Sequence, residues 1–438
     1  MKKFLLIIAI VCLPFGFAQA QTPLSLQQCI DKALQENLSI KSARYDIDLT
    51  NDKIQEVKAG LFPQVNLNAN YQYNTQIAKQ LAPAAAFGGK PGEFLTLQFG
   101  VPITTTIGVS ANQALFNAQI FIGLKAAKTA GELSQLQLLR SQEDVVYNVS
   151  ATYYNAQSLA QQVDLLKQNL ASVLKLIDTS NLLYQNQLGK KIDVERLEVN
   201  RANLETQIEN LENTYSQLIS LLKFLTNTPQ DTPLEIQKDI QTDLNALLQE
   251  AGSIEQRTEF KLLEVQKVLN GFEQKQISSA YFPIISLVGQ YAQQGFAKPG
   301  ELDYRSFPVS FVGVQLQMNL FDGFNKMYKM RQKKIELQKL ENQVLTFKEN
   351  TSREMTNARN TLRVNLKSLT FQQTNMTLAR KVYEQTQMQF KEGIVGITDV
   401  LNAENALKEA QTNYLTALVK VRVAELDLKK ANGTLINK

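Results

Sequence analysis

Phe62-Pro63-Gln64-Val65-Asn66-Leu67-Asn68-Ala69-Asn70-Tyr71-Gln72-Tyr73-Asn74 is the stretch that decides the fold. After the proline, Val65, Leu67, Ala69, Tyr71 and Tyr73 alternate with Asn66, Asn68, Asn70, Gln72 and Asn74. A period of two sends the two sets to opposite faces of a sheet. A buried sandwich strand alternates in the same way, but here the polar set is Asn and Gln rather than Lys and Glu. That composition suits a crowded wet lumen, and a run of about 10 residues is what a tilted strand needs to cross a bilayer.

Three further strands follow from the same reading. The quoted stretch itself is the first strand, predicted over 64–76. The second, over 95–113, passes through Leu95, Leu97, Phe99, Val101 and Ile103, is complicated by Pro102, and continues through Ile107 and Val109. The other two fall at 284–293 and 309–320, the last with Val312, Val314, Leu316, Met318 and Leu320 opposite Gly313, Gln315, Gln317 and Asn319. The segments 78–93 and 294–306, rich in Gly, Pro and Ala, read as loops. Four strands cannot close a barrel, and an open edge in lipid leaves backbone groups unpaired at several kcal/mol each. A membrane barrel built from this chain therefore needs several copies of it, and four strands each keep the total even.

The chain is an internal duplication. Leu61-Phe62-Pro63 answers to Tyr281-Phe282-Pro283, Lys90-Pro91-Gly92-Glu93 recurs as Lys298-Pro299-Gly300-Glu301, and Leu115-Phe116-Asn117 matches Leu320-Phe321-Asp322. Gly189 is paired with Gly393 in this scheme. Each half reads helix, two strands, long helix, turn, helix. Residues 132–188 contain neither Gly nor Pro, nor do 324–392, 190–228 and 397–432. The first two runs would be about 85 and 100 Å as continuous helix. Apolar residues at steps of three and four (Val149, Tyr153, Ala156, Val163, Leu166; Leu197, Leu204, Ile208, Leu211) predict antiparallel, coiled-coil-like seams.

Composition narrows the function. The chain of 438 residues has no His, no Trp and two Cys, which excludes His-based metal sites and Ser-His or Cys-His catalysis. It carries 79 Asn and Gln, the uncharged polar surface that long packed helices and a wet lumen share. Glu195, Glu198 and Glu205 stand at helical spacing and read as solvated face, so no enzyme is expected. Lys2-Lys3, an apolar run to Ala18 and Ala18-Gln19-Ala20 form a secretory signal peptide over 1–20. Its loss removes two lysines and lowers the formal charge from +5 to +3. The basic residues are dispersed, so nucleic acid is not a predicted partner. The expected organisation is signal peptide 1–20, first repeat 21–226, equatorial connector 227–250, second repeat 251–432 and polar tail 433–438.

The turns opposite the strands are the expected functional elements. Phe390-Lys391-Glu392-Gly393-Ile394-Val395-Gly396-Ile397-Thr398-Asp399-Val400 places a glycine at a helix end, exposed apolar residues at the tip, and Thr398 or Asp399 to cap the next helix. Together with the aromatic-Pro steps, the Leu-Phe-Asn/Asp matches and Ser25, Leu26, Cys29, Ala33, Leu34 and Asn37, this tip resembles the TolC-like outer membrane efflux family over the whole mature chain.

The resemblance implies an all-α plus membrane-β fold. In a homotrimer, three chains would give four strands each to a 12-stranded barrel among the lipids of the outer membrane, continued by a long α-helical barrel in the periplasm. It also implies a channel exporting drugs, metal ions or proteins with an inner-membrane pump, of the RND or ABC type, and a periplasmic adaptor, without a cofactor. Carried over, the adaptor-docking residues are Gly189, Lys190 and Asp193 in the first tip, and Gly393, Ile394, Val395, Thr398 and Asp399 in the second. Asp193 and Asp399 are the candidate gate charges. Gly189 to Asp193 is two residues shorter than Gly393 to Asp399, so the first tip departs from the pattern. A periplasmic coiled-coil structural or adaptor-like protein without a channel is the alternative.

Overall fold

The structure, a computed structural model, describes residues 23–239, 252–300 and 304–436. The signal peptide and Cys12 lie outside them, as do 240–250 of the connector and the last two residues of the tail. The chain divides into two units, one drawn from residues up to Lys41, Arg140–Arg257 and Asn350–Lys438, the other from Ser42–Leu139 and Thr258–Glu349.

In the second unit, helix α2 (Leu38–Ala59) ends ahead of Pro63, and β1 (Gln64–Tyr73) begins at once. Two short strands, β2 (Lys79–Pro83) and β3 (Phe94–Gln98), pair with each other as a separate hairpin. β4 (Ile103–Phe116), β5 (Ile284–Ala297) and β6 (Arg305–Gln317) join β1 in an antiparallel sheet of order β1-β4-β5-β6. The predicted strand 95–113 is thus two strands in two sheets. Gly100, at φ +129, and Pro102, which lacks an N–H, interrupt it. The predicted loop 78–93 holds β2 and a 3-10 turn, while 294–297 and 305–308 extend β5 and β6. Met318 and Leu320 lie beyond β6.

Register fixes the faces. Val65, Leu67, Ala69, Tyr71 and Tyr73 pair with Ala111, Val109, Ile107, Thr105 and Ile103, and the same face continues through Tyr291 to Val312 and Val314. Val312 is 81% exposed and Leu67 72%. Burying such a side chain is worth about 1.5–3 kcal/mol, so a largely apolar face left open requires an apolar solvent or partner. The other face carries Asn66, Asn68, Asn70, Gln72, Thr104, Thr106, Ser110 and Gln290. There Asn68 donates to Ser110 Oγ at 2.9 Å. The outer edges of β1 and β6 have no partner strand among the described residues, the situation that recruits further strands.

Helix α3 (Ala118–Gln185) starts 14 residues before the predicted run and passes through Gly123 and Gly131. Both glycines face α2: an added Cβ would meet Val57 at 3.8 Å and Ile54 at 3.7 Å. Thr50 and Ser134 share a hydrogen bond of 2.9 Å across the same helix pair.

In the first unit, α1 (Leu26–Glu36) opens on a capping box in which Ser25 Oγ accepts from Gln28 N while Gln28 Oε1 accepts from Ser25 N. Cys29 and Ala33 are fully buried beneath it. Burial pushes the Cys29 thiol up to about 11. Asn37 then separates α1 from α2; its Oδ1 accepts from Ser39 N at 2.9 Å and its Nδ2 donates to Leu225 O at 2.8 Å. Helix α4 (Lys191–Leu225) returns along α3, and α7 (Ile397–Asn432) returns along α6 (Asn325–Lys391). Leu197, Leu204 and Ile208 of α4 and Val400, Ala403 and Leu407 of α7 share one core with Val163, Leu166 and Val173 of α3. The described part of the connector lies against α3 and the start of the chain. Leu24 bridges Ile236, Gln157 donates to Gln237 O at 2.6 Å, and Lys238 pairs with Asp164 at 2.7 Å. Among the described residues, no helix is long and apolar enough to cross a membrane.

Candidate functional site

The two helix-to-helix tips are built alike, in a register offset from the glycine-to-glycine match. At the end of α6, Gly393 takes φ +74, Gly393 N donates to Phe390 O and Ile394 N reaches back to Gln389 O at 2.9 Å. At the end of α3 the same bonds run from Gln187 N to Tyr184 O and from Leu188 N to Leu183 O at 2.8 Å, with Gln187 at φ +60. These are the left-handed helix stops that satisfy the last carbonyls. Lys190 and Gly396 are then the N-caps of α4 and α7, and Asp193 and Asp399 both stand at N3. Gln187, rather than Gly189, is therefore the counterpart of Gly393, and the two tips are equal in length.

Gly189 is a glycine for a different reason. Its φ lies outside the left-handed region, but an added Cβ would lie 3.0 Å from Leu183 Cβ and 3.1 Å from Tyr184 N. The first tip needs space there. The second needs backbone freedom at Gly393, where nothing lies within 4 Å.

The expected docking residues lie on the surface to different degrees. Ile394 is 66% exposed, Val395 is half-buried, and Leu188, the counterpart of Ile394, is 78% exposed. Lys190, Thr398 and Asp399 are exposed, and Asp193 is half-buried. Neither Thr398 nor Asp399 is the cap of α7, contrary to expectation. Gly396 occupies that position and has no side chain, so only the return half of a capping box exists: Gly396 N donates to Asp399 Oδ2 at 3.2 Å. A carboxylate at N3 also complements the positive end of the helix.

Arg196 ties the two tips together. Its Nη1 donates to Thr398 Oγ1 at 2.8 Å and lies 4.0 Å from Asp193 Oδ1. One turn further in, Asn200 Nδ2 donates to Glu404 at 3.0 Å. Glu404 is only 4% exposed, and burial pushes its carboxyl up to about 7 against the lowering influence of Asn200 and Lys408. Tyr383 of α6 is pushed up to about 12 by burial and by the Glu404 charge. Deeper still, Asn169 Nδ2 faces Gln411 Oε1 at 3.4 Å. A polar ladder thus descends from the tips along α7, its inner rungs buried.

Leu188, Arg196 and Glu404 escaped the sequence reading. Aligning Tyr184 with Phe390 and Asp193 with Asp399 would have matched Leu188 to Ile394. Glu404 and Gln411 interrupt the stride Val400, Leu407, Leu418, a visible sign of polar groups in a seam.

No group of three or more His, Cys, Asp or Glu residues able to hold a metal occurs among the described residues. What the chain offers is a two-faced sheet, long paired helices and matched tips, and comparison with known proteins finds chains of similar fold. Outer membrane protein TolC of Escherichia coli is 19% identical over 99% of this chain and 87% of its own length, and that of Salmonella enteritidis is 20% identical with the same coverage. The structure of the outer membrane protein VceC from Vibrio cholerae superposes with a TM-score of 0.73 at 14% identity, over 93% of this chain and 96% of that one. The open state of the Neisseria gonorrhoeae MtrE outer membrane channel gives 0.70 at 18% identity, over 93% and 88%. The model of the outer membrane efflux protein family matches residues 29–226 and 273–434. Spanning both halves, that match makes the chain a member of the outer membrane efflux protein family, with a channel role in efflux at the outer membrane.

Proposed function

We propose that three copies of this chain close their sheets into one 12-stranded barrel in the outer membrane, continued by the helices as a tunnel into the periplasm. The observation that carries this reading is the sheet itself: one face largely apolar and exposed, the other lined with amides, and both edges unpaired among the described residues. With four strands alternating in direction, β6 runs opposite to the β1 of a neighbour, so successive copies join without breaking the antiparallel pattern. Closure pairs every edge group, the condition lipid imposes.

In this reading the tips face a periplasmic adaptor, with an inner-membrane pump supplying the cargo. Leu188 and Ile394 are the apolar contacts and Gly189, Lys190, Gly393, Val395 and Thr398 their surroundings. Asp193 and Asp399 form rings of like charge when three copies assemble, which favours cations at the constriction. Small molecules are the cargo class a lumen of uncharged amides accommodates without binding tightly. Membrane fractionation, followed by electrophoresis with and without heating, tests the assembly. A heat-sensitive trimer in the outer-membrane fraction is expected; a detergent-free monomer overturns the channel, the tunnel and the docking tips together.

A further inference from the structure

Strand β6 changes phase halfway along. From Val312 onward its apolar residues, Val312, Val314 and Leu316, join the apolar face of the sheet. Before that point Phe307, Val309 and Phe311 fall opposite Gln294, Ala292 and Gln290, on the amide face. Phe296 of β5 joins them, its ring centroid 6.2 Å from that of Phe307. An aromatic patch therefore sits on the otherwise polar face, at the end of the sheet remote from the helices and along a free edge.

The β2–β3 hairpin is a second exposed apolar surface. Leu81 is 72% exposed and Phe94 66%, and register places them on one face of the hairpin, with Leu81 opposite Thr96 and Phe94 opposite Pro83. Phe87 and Phe99 are also exposed, and Lys79, Lys90 and Glu93 are the only charges from 79 to 99. Lipid does not suit it as a cover. Tyr71 and Tyr73 end β1, and Tyr304 bonds Thr105 at 2.9 Å on the same face of the sheet, a tyrosine level of the kind that marks the water boundary of a barrel. The hairpin follows beyond that level.

We propose that the hairpin 79–98 of one copy docks on the Phe296–Phe307–Phe311 patch of the adjacent copy. This rests on the closed barrel proposed above. Strand order carries the pairing: β1 and β6 are the two edges, so β6 of one chain meets β1 of the next. The hairpin begins six residues after Tyr73, at the end of the sheet where β6 starts with Arg305. The neighbour's hairpin thus emerges beside the patch, and each apolar surface covers the other over the mouth of the barrel.

The test is disulfide cross-linking of the full-length protein in outer-membrane vesicles with the double variant F94C/F307C, and with L81C/F311C as a second geometry. Cys29 is fully buried and serves as a silent background in the single variants. Oxidation is expected to give covalently linked dimers and trimers that survive boiling without reductant, in at least one double variant and in none of the singles. An intrachain bond, running as a monomer of altered mobility, overturns the proposal, because the hairpin then covers its own chain. A heat-sensitive trimer that links in neither geometry overturns it while leaving the barrel standing. Absence of any heat-sensitive trimer in the unsubstituted protein removes both.

Discussion

Replacing Glu404 with Gln tests the polar ladder beneath the tips. The amide keeps an oxygen for Asn200 Nδ2, which lies 3.0 Å from the carboxylate, and removes the charge. Glu404 is raised from its ordinary 4.5 to about 7 by burial. Because the folded chain holds this proton more tightly than the unfolded one, the group costs nothing at pH values below about 4.5. The cost grows as pH rises and is complete above about 7, where the buried carboxylate is ionised. Its size is about 3 kcal/mol at 1.36 kcal/mol per pH unit. Felt in local opening of the first turns of α7, it is a few hundredfold in the opening constant. Hydrogen exchange of peptides covering 397–410 reads it directly, after correction for the intrinsic pH dependence of exchange. The unsubstituted protein is expected to lose protection between pH 4 and pH 8, and E404Q to hold it, the two converging at pH 4. Equal protection at pH 8 would refute the reasoning, since Glu404 would then be solvated or compensated in the assembled protein.

Other expectations follow from the same geometry. Val312→Lys places a charge on the apolar face and should cost about 2–4 kcal/mol in lipid, depleting the heat-sensitive trimer, whereas Asn68→Lys on the amide face should leave it intact. Gly393→Ala forces a side chain into the left-handed region at about 1 kcal/mol, and Gln187→Gly should recover a similar amount; exchange of the two tips reads both, and responses of the same sign would contradict the matched-tip geometry. Arg196→Ala removes the link to Thr398, an exposed contact worth at most about 1 kcal/mol, and should raise single-channel conductance by loosening the tip. Unchanged conductance would mean that this contact does not restrain it.

Much of this was legible in the residues because the periods are long and clean. The alternation after Pro63 marks β1 and its faces, and the Gly- and Pro-free runs mark the long helices. Misreadings arose where two signals competed. Residues 78–93 carry the Gly and Pro of a loop, yet Lys79–Pro83 within them form one strand of a paired hairpin, because short strands tolerate turn residues at their ends. Gly123 and Gly131 read as breaks but serve contact with α2; tertiary packing overrides their poor helix propensity. At the tips, matching glycine to glycine misaligned the halves, since one αL position is filled by Gln187. The residues of the ladder were missed because a lone Glu on a helix reads as solvated until its neighbours are known.

The phase change between Phe311 and Val312 has a consequence for assembly. A uniformly alternating strand looks the same after sliding by two residues, and a hairpin turn normally forbids the slide. The outer edge of β6 has no turn joining it to whatever strand pairs there. A strand whose greasy side switches at one point carries an index mark, readable by depth alone, that can lock such a turnless joint into a single alignment.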